Sequence, residues 1–212
     1  QVEFKQEVKV FKHKVTEESL QQPRNVTSDG VIFGGHVSLI DNDFVNEKED
    51  KIIIVTHVYG ESGPYFTAPI GIKFISGRVK GAGKWAIKSL DGSPLELNAE
   101  FNVLVTDASS NAFIVDKDNN FRVDHPRLNN NPNAAFLISP RAQKSIFNTD
   151  PDNLNPVGVY YKRTTGYWHI YNTNGKPIEY KGGGISSVEF NVFIHPNMFK
   201  HKVATNENNS HI

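Results

Sequence analysis

Three oxygen-bearing side chains stand at alternate positions in Asp116-Lys117-Asp118-Asn119-Asn120, the way a calcium-binding loop opens. The loop does not continue as one, because Phe121 holds the place of the turn-making glycine and Arg127 that of the closing glutamate. Asp41-Asn42-Asp43 and Asp150-Pro151-Asp152-Asn153 offer further carboxylates, but clustered Asp and Asn ordinarily bond their own backbone in solvated turns. None of the eight histidines (13, 36, 57, 125, 169, 195, 201 and 211) falls in a His-Glu-x-x-His pair or another zinc spacing. The chain has no Gly-x-Ser-x-Gly elbow and no Walker or dinucleotide glycine pattern. Glu100 and Glu189 would have to meet within ~5–10 Å to cleave a glycosidic bond, and they lie in separate halves of the chain. Cysteine is absent, which removes disulfides, thiolate metal sites and a thiol nucleophile. The expectation is therefore a non-enzymatic chain with no catalytic residue, metal or cofactor.

Aromatic side chains offer a different chemistry. A flat ring on an exposed sheet can stack on the apolar face of a sugar, and Trp85, Trp168, Tyr160, Tyr161, Tyr167 and Tyr171 have the right type. The two tryptophans recur at matching positions, which is how a core anchor behaves. Tyr59, Tyr65 and Phe66 flank the loop Gly60-Glu61-Ser62-Gly63-Pro64, which has no close match later in the chain, so they are expected to be free for a ligand.

The elements that must carry these residues are short strands. Runs rich in β-branched and aromatic residues, bounded by Gly, Pro, Asn and Asp, cover residues 8–15, 31–40, 51–58, 68–75, 84–90 and 101–107. A second set covers 112–115, 121–124, 134–139, 157–163, 167–172 and 188–195. Lys51-Ile52-Ile53-Ile54-Val55 is apolar on both faces, as a strand between two packed layers would be. Single helical turns are expected at most near residues 43–48 or 140–145.

The two sets are copies. Residues 38–55 and 121–138 align without a gap at an offset of 83, with Asp41 over Asp124 and Asn46 over Asn129. Trp85 and Trp168 keep the same offset, and Glu100-Phe101-Asn102-Val103 answers Glu189-Phe190-Asn191-Val192. A fixed repeat decides the architecture before any local reading. The expected fold is all-β: two tandem sandwich-like or barrel-like modules with extended terminal strands. The first module is placed at 1–107, the second at 112–196, and a C-terminal strand, a partial third repeat, at 197–212. The polar run 107–111 links the modules.

Basic and acidic residues balance at 23 each, so no net field favours nucleic acid. No apolar run approaches the roughly 18 residues of a membrane span. The chain opens on Gln1, and removal of a signal peptide is the expectation, which places the protein outside the cell or on its surface.

Several motifs carry a resemblance. Asp124-His125-Pro126, Asn131-Pro132-Asn133-Ala134, Val157-Gly158-Val159-Tyr160-Tyr161, Trp168-His169-Ile170-Tyr171-Asn172 and Phe190-Asn191-Val192 resemble the consensus of an uncharacterised family of secreted bacterial domains. That family occurs as tandem repeats, commonly opening with a Phe-x-His strand and closing with the Phe-Asn-Val strand. The second module matches from Asp124 to Ile194; the first departs from the pattern, with Asn42-Asp43 for the His-Pro pair. The resemblance implies a secreted tandem β-domain protein and transfers no catalytic residue.

Phe11-Lys12-His13-Lys14-Val15 recurs letter for letter as Phe199-Lys200-His201-Lys202-Val203. If the first copy opens a module, the second is a surplus strand, and its unpaired backbone requires an acceptor. The acceptor is either the second module itself or a neighbouring chain, reached by strand addition. A contact between unlike surfaces is head-to-tail and propagates. The expectation is a subunit of an extracellular filament or surface assembly, joined through Phe199, His201 and Val203 as donor and Val8, Val10 and Phe11 at the other end. The alternative is a cell-surface glycan-binding adhesion module assisted by calcium.

Overall fold

The computed structural model describes residues 7–22, 25–26, 32–59, 64, 66–76, 78–142, 153–178, 188–195 and 198. The first module contains β1 (Val8–Lys14), β2 (Asn25–Val26), β3 (Ile32–Phe33), β4 (Val37–Ile40), β5 (Ile52–Val58), β6 (Ile70–Phe74), β7 (Trp85–Ser89) and β8 (Glu100–Thr106). The second contains β9 (Ala112–Val115), β10 (Arg122–Val123), β11 (Leu137–Arg141), β12 (Val157–Lys162), β13 (Tyr167–Asn172) and β14 (Glu189–Phe193), with one 3-10 turn at Lys117–Asn119. The fold is all-β, as the sequence implies.

Each module is a pair of three-stranded layers. In the first, β1-β8-β5 faces β4-β7-β6; in the second, β9-β14-β11 faces β10-β13-β12. Strand alternation supplies the cores. Val55, Phe101, Val103 and Val105 from one layer meet Ile40, Ile72, Trp85 and Ile87 from the other. Phe190 and Val192 meet Val123, Trp168 and Ile170 in the same way. Both tryptophans are core residues, at 0% and 7% exposure.

The duplication extends to single hydrogen bonds. The Trp85 indole donates to the Lys48 carbonyl at 2.8 Å, and the Trp168 indole to the Asn131 carbonyl at 3.0 Å, across 37 residues in each case. Asn46 donates to the Asp41 carboxylate as Asn129 does to Asp124, at 3.0 and 2.8 Å. A buried indole N–H must find a partner, and these turns hold their carbonyls in place for it. The loop passing beneath is pinned by the bond from the Asn130 N–H to the Gly166 carbonyl at 2.8 Å. Gly166 has φ of +76°, and a Cβ there would lie 2.3 Å from the Asn130 amide oxygen, so only glycine fits.

Two local expectations are corrected. The run 31–40 is broken into β3 and β4 by Gly34 and Gly35, whose φ angles of 72° and 67° cannot continue a strand. Pro140 and Arg141 belong to β11 rather than to a helical turn. Pro140 has no N–H to donate, and β11 meets its parallel neighbour there through the Pro140 carbonyl side.

His13 points inward from β1, opposite Phe101, and shares a 2.8 Å hydrogen bond with Ser38. Burial lowers its pKa from the ordinary 6.5 to about 4. The folded protein thus holds His13 neutral, whereas the unfolded chain binds a proton below pH 6.5. Stability contributed by the neutral ring is full above pH 6.5 and is lost as pH falls towards 4, by about 3 kcal/mol at the lower end. His57, His125 and His169 are shifted down by desolvation and add in the same direction. Urea midpoints measured at pH 7 and pH 4.5 should show this loss. The change His13→Val, which installs the residue found at the matching position 115, should flatten the profile.

Candidate interaction surfaces

Two of the buried polar side chains among the described residues, Ser139 and Asn191, sit where the modules meet. β5 is apolar on both faces, and both are covered: Ile53 and Val55 enter the first core, while Ile52 and Ile54 pack on Ala112 and Phe193 of the second module. One edge of β5 pairs with β8. Along the other edge, side chains replace a strand. The Val55 N–H donates to Ser139 Oγ at 2.9 Å, and Asn191 Nδ2 donates to the Ile53 carbonyl at 2.9 Å. Ser139 and Asn191 are 1% and 0% exposed, so these bonds form away from competing water.

Beside this contact the sheets fuse. β11 lies parallel to β6 with Arg141 opposite Ile72, and Ala142 N–H donates to the Ile72 carbonyl at 2.7 Å. The result is one six-stranded sheet, β4-β7-β6-β11-β14-β9, running through both modules. Gly71 permits the approach, since a Cβ would sit 3.0 Å from the Pro140 carbonyl and 2.8 Å from Leu90. Arg141 then reaches into the first module. Its guanidinium lies 5.0 Å above the Trp85 ring, bonds the Glu49 carbonyl at 3.4 Å and pairs with Glu189 at 3.4 Å. Burial pushes its pKa down and the two glutamates oppose that shift. Arginine suits the position because its planar cation both stacks and donates.

A second surface lies on the outer face of β12 and β13. Tyr160 stacks on His169 with ring centres 5.4 Å apart, and Tyr171 meets Tyr160 edge-on at 5.4 Å. Tyr160 and Tyr171 remain 43% and 38% exposed. They line a groove of about 350 Å³ with Asn120, Asn172 and Lys176. Desolvation lowers the pKa of His169.

Comparison with known proteins agrees with the repeat geometry. The model of a family described as Domain of unknown function (DUF7452) matches twice, over residues 4–105 and 78–184. The chain belongs to that family. The two matches overlap over 78–105, so the second takes in β7 and β8 as well as most of the second module. No curated protein and no solved structure matches the chain. Among the described residues, no helix is long and apolar enough to cross a membrane.

The residues singled out in the sequence are dispersed. Phe11 packs on the first core and Val8 on the junction cluster, while Val10 is 66% exposed on the outer face of β1. Phe199, His201 and Val203 lie outside the described residues, as does Tyr65. Tyr59 is 57% exposed and donates its hydroxyl to the Phe66 carbonyl at 2.9 Å. Phe66 itself is buried in the first core, so it is a packing residue and not a ligand platform. The Asp116 carboxylate accepts the Asp118 N–H at 2.9 Å and caps the 3-10 turn, and no group of three metal-ligating side chains occurs among the described residues. Ser139 and Arg141 carry no sequence motif. Pro140 within a strand was the available signal, marking a strand edge.

Truncating Asn191 to alanine leaves the Ile53 carbonyl buried and unpaired, at a cost of about 1–3 kcal/mol. Gly71→Val should separate β6 from β11. Because both changes act on one contact, their combined effect on the urea midpoint should fall short of the sum. Limited proteolysis between residues 107 and 111 should accelerate in each variant.

Proposed function

We propose that the chain is a non-enzymatic structural subunit of an extracellular assembly, self-associating head to tail. What supports this reading is how its polar chemistry is used. Ser139, Asn191 and Arg141, all largely buried, converge on a contact between β-modules and not on a cleft that could hold a substrate. That contact joins unlike surfaces, the edge of β5 and the face of β14, and such contacts propagate when repeated between chains. Among the described residues β1 is the outer strand of its layer, and an outer strand is where an added strand can pair. In this reading residues 199–203 supply that strand.

Removing residues 197–212 should then leave a folded monomer, while the full chain gains mass with concentration in sedimentation velocity. A truncated chain that unfolds at markedly lower urea would assign the segment to its own module instead.

A second reading has its own observation. The Tyr160–Tyr171 groove offers two exposed rings beside amide and ammonium donors, a composition suited to an uncharged polysaccharide. In that case Tyr160→Ala should abolish retention on immobilised glycans while leaving the melting temperature within a few degrees. Retention surviving the change would remove this reading.

A further inference from the structure

One wall of the aromatic groove, over residues 172–178, is held by a chain of asparagine amides. Asn153 Nδ2 donates to Asn172 Oδ1 at 2.7 Å, Asn172 Nδ2 to the Pro177 carbonyl at 2.9 Å, and Asn174 Nδ2 to Asn155 Oδ1 at 2.7 Å. Asn153 and Asn172 are buried, so the bonds at the root of this wall form away from competing water. Asn172 thus serves the wall. Asn120 and Lys176, both exposed on the groove, are left to meet a ligand.

The two exposed rings are set by their neighbours on the sheet. Tyr160 stands opposite His169 across β12 and β13 and stacks on it, with the ring planes 21° apart. Tyr171 stands opposite Gly158 and leans over it: a Cβ on Gly158 would lie 3.1 Å from Tyr171 Cε1 and 3.4 Å from its Cζ. Gly158 does not have the positive φ that requires glycine, so it matters for the space it leaves. Held in this way, the rings of Tyr160 and Tyr171 meet at 90°. In the first module the matching strand positions carry Lys73, Ala86 and Lys88, and Leu90 and the Pro140 carbonyl crowd Gly71 instead. The ring pair is therefore not something the repeat needs in order to fold.

Two rings at a right angle cannot both lie against one flat ribbon of sugars. They suit a ligand that offers two surfaces at a right angle, the C–H face of one pyranose and its edge. We propose that the groove holds a single uncharged sugar unit, a chain end or a side branch, with its face on one tyrosine and its edge on the other. The Asn120 amide donates to or accepts from its hydroxyls, and the Lys176 ammonium donates to them. A groove of about 350 Å³ is at the small end of ligand sites, which span ~300–1,000 Å³. Gly158 is a positioning residue here, because the space above it decides where Tyr171 lies. The inference rests on the glycan-binding reading above and narrows it from a polysaccharide to one unit of it.

The test passes the full-length chain over immobilised mannan, β-glucan and galactan, and elutes bound protein with the methyl glycoside or the tetrasaccharide of the retaining sugar. For a one-unit site the two half-elution concentrations should agree within about fivefold, since added units reach no further ring. A larger advantage for the tetrasaccharide would overturn the inference and leave the glycan-binding reading standing. Failure of the parent to bind any of the three would sink both. Gly158→Val places a strand-forming residue in β12, so its melting temperature should equal or exceed the parent's while retention is lost. Tyr171→Leu should also lose retention, and it decides alone if Gly158→Val does not fold. A folded variant of either kind that is retained like the parent would overturn the inference.

Discussion

β5 has two apolar faces and, among the described residues, pairs with another strand along one edge, and the arrangement of the two modules follows from that. A free-standing module would leave Ile52 and Ile54 in water and the outward backbone groups of Ile53 and Val55 to solvent. Docking the second module covers the first pair with Ala112 and Phe193. It also supplies Ser139 and Asn191 to the second pair. Burying apolar area while leaving no backbone group unpaired is the same condition that selects sheets within a domain, applied here between domains. The parallel pairing of β6 and β11 is a consequence, since the edges are brought within reach once the faces are in contact.

Duplication explains why the junction is built from unlike parts. The copies preserve what each module needs internally: the indole-to-carbonyl bond, the Asp–Asn turn and the Phe-Asn-Val strand. They diverge on their outer faces. Lys12 in one copy is Ile114 in the other, and Val58 is Arg141. The groove residues Tyr160 and Tyr171 correspond to Lys73 and Lys88. Internal packing tolerates little change in volume, whereas an outer face is free to acquire a partner.

Most of the fold was legible in the chain because strand signals are local. The strands at 112–115 and 167–172 fall where the alternation and turn residues place them, and the 83-residue offset survives as matched hydrogen bonds. The broken strand at 31–40 was legible too, had the two adjacent glycines been weighed against the valines around them. The interaction surfaces were much less so. Tyr59 is exposed as expected, but Phe66, seven residues on and of the same character, is in the core, because a loop's composition does not say which of its rings turns inward. Tyr160 and Tyr171 were visible as sugar-binding types, yet nothing local separates them from the half-buried Tyr161 and Tyr167 beside them.

By itself the sequence determined a duplicated all-β chain, the position of its tryptophan anchors and the double-sided burial of β5. These depend on residue type and a period of two, which any segment carries within itself. Only the tertiary structure decided which module face covers β5, that Asn191 is buried while its twin Asn102 is exposed, and that Arg141 reaches Trp85. Those outcomes turn on contacts between residues 50 to 140 positions apart, and a strand's alternation states that a face is apolar without stating what lies against it.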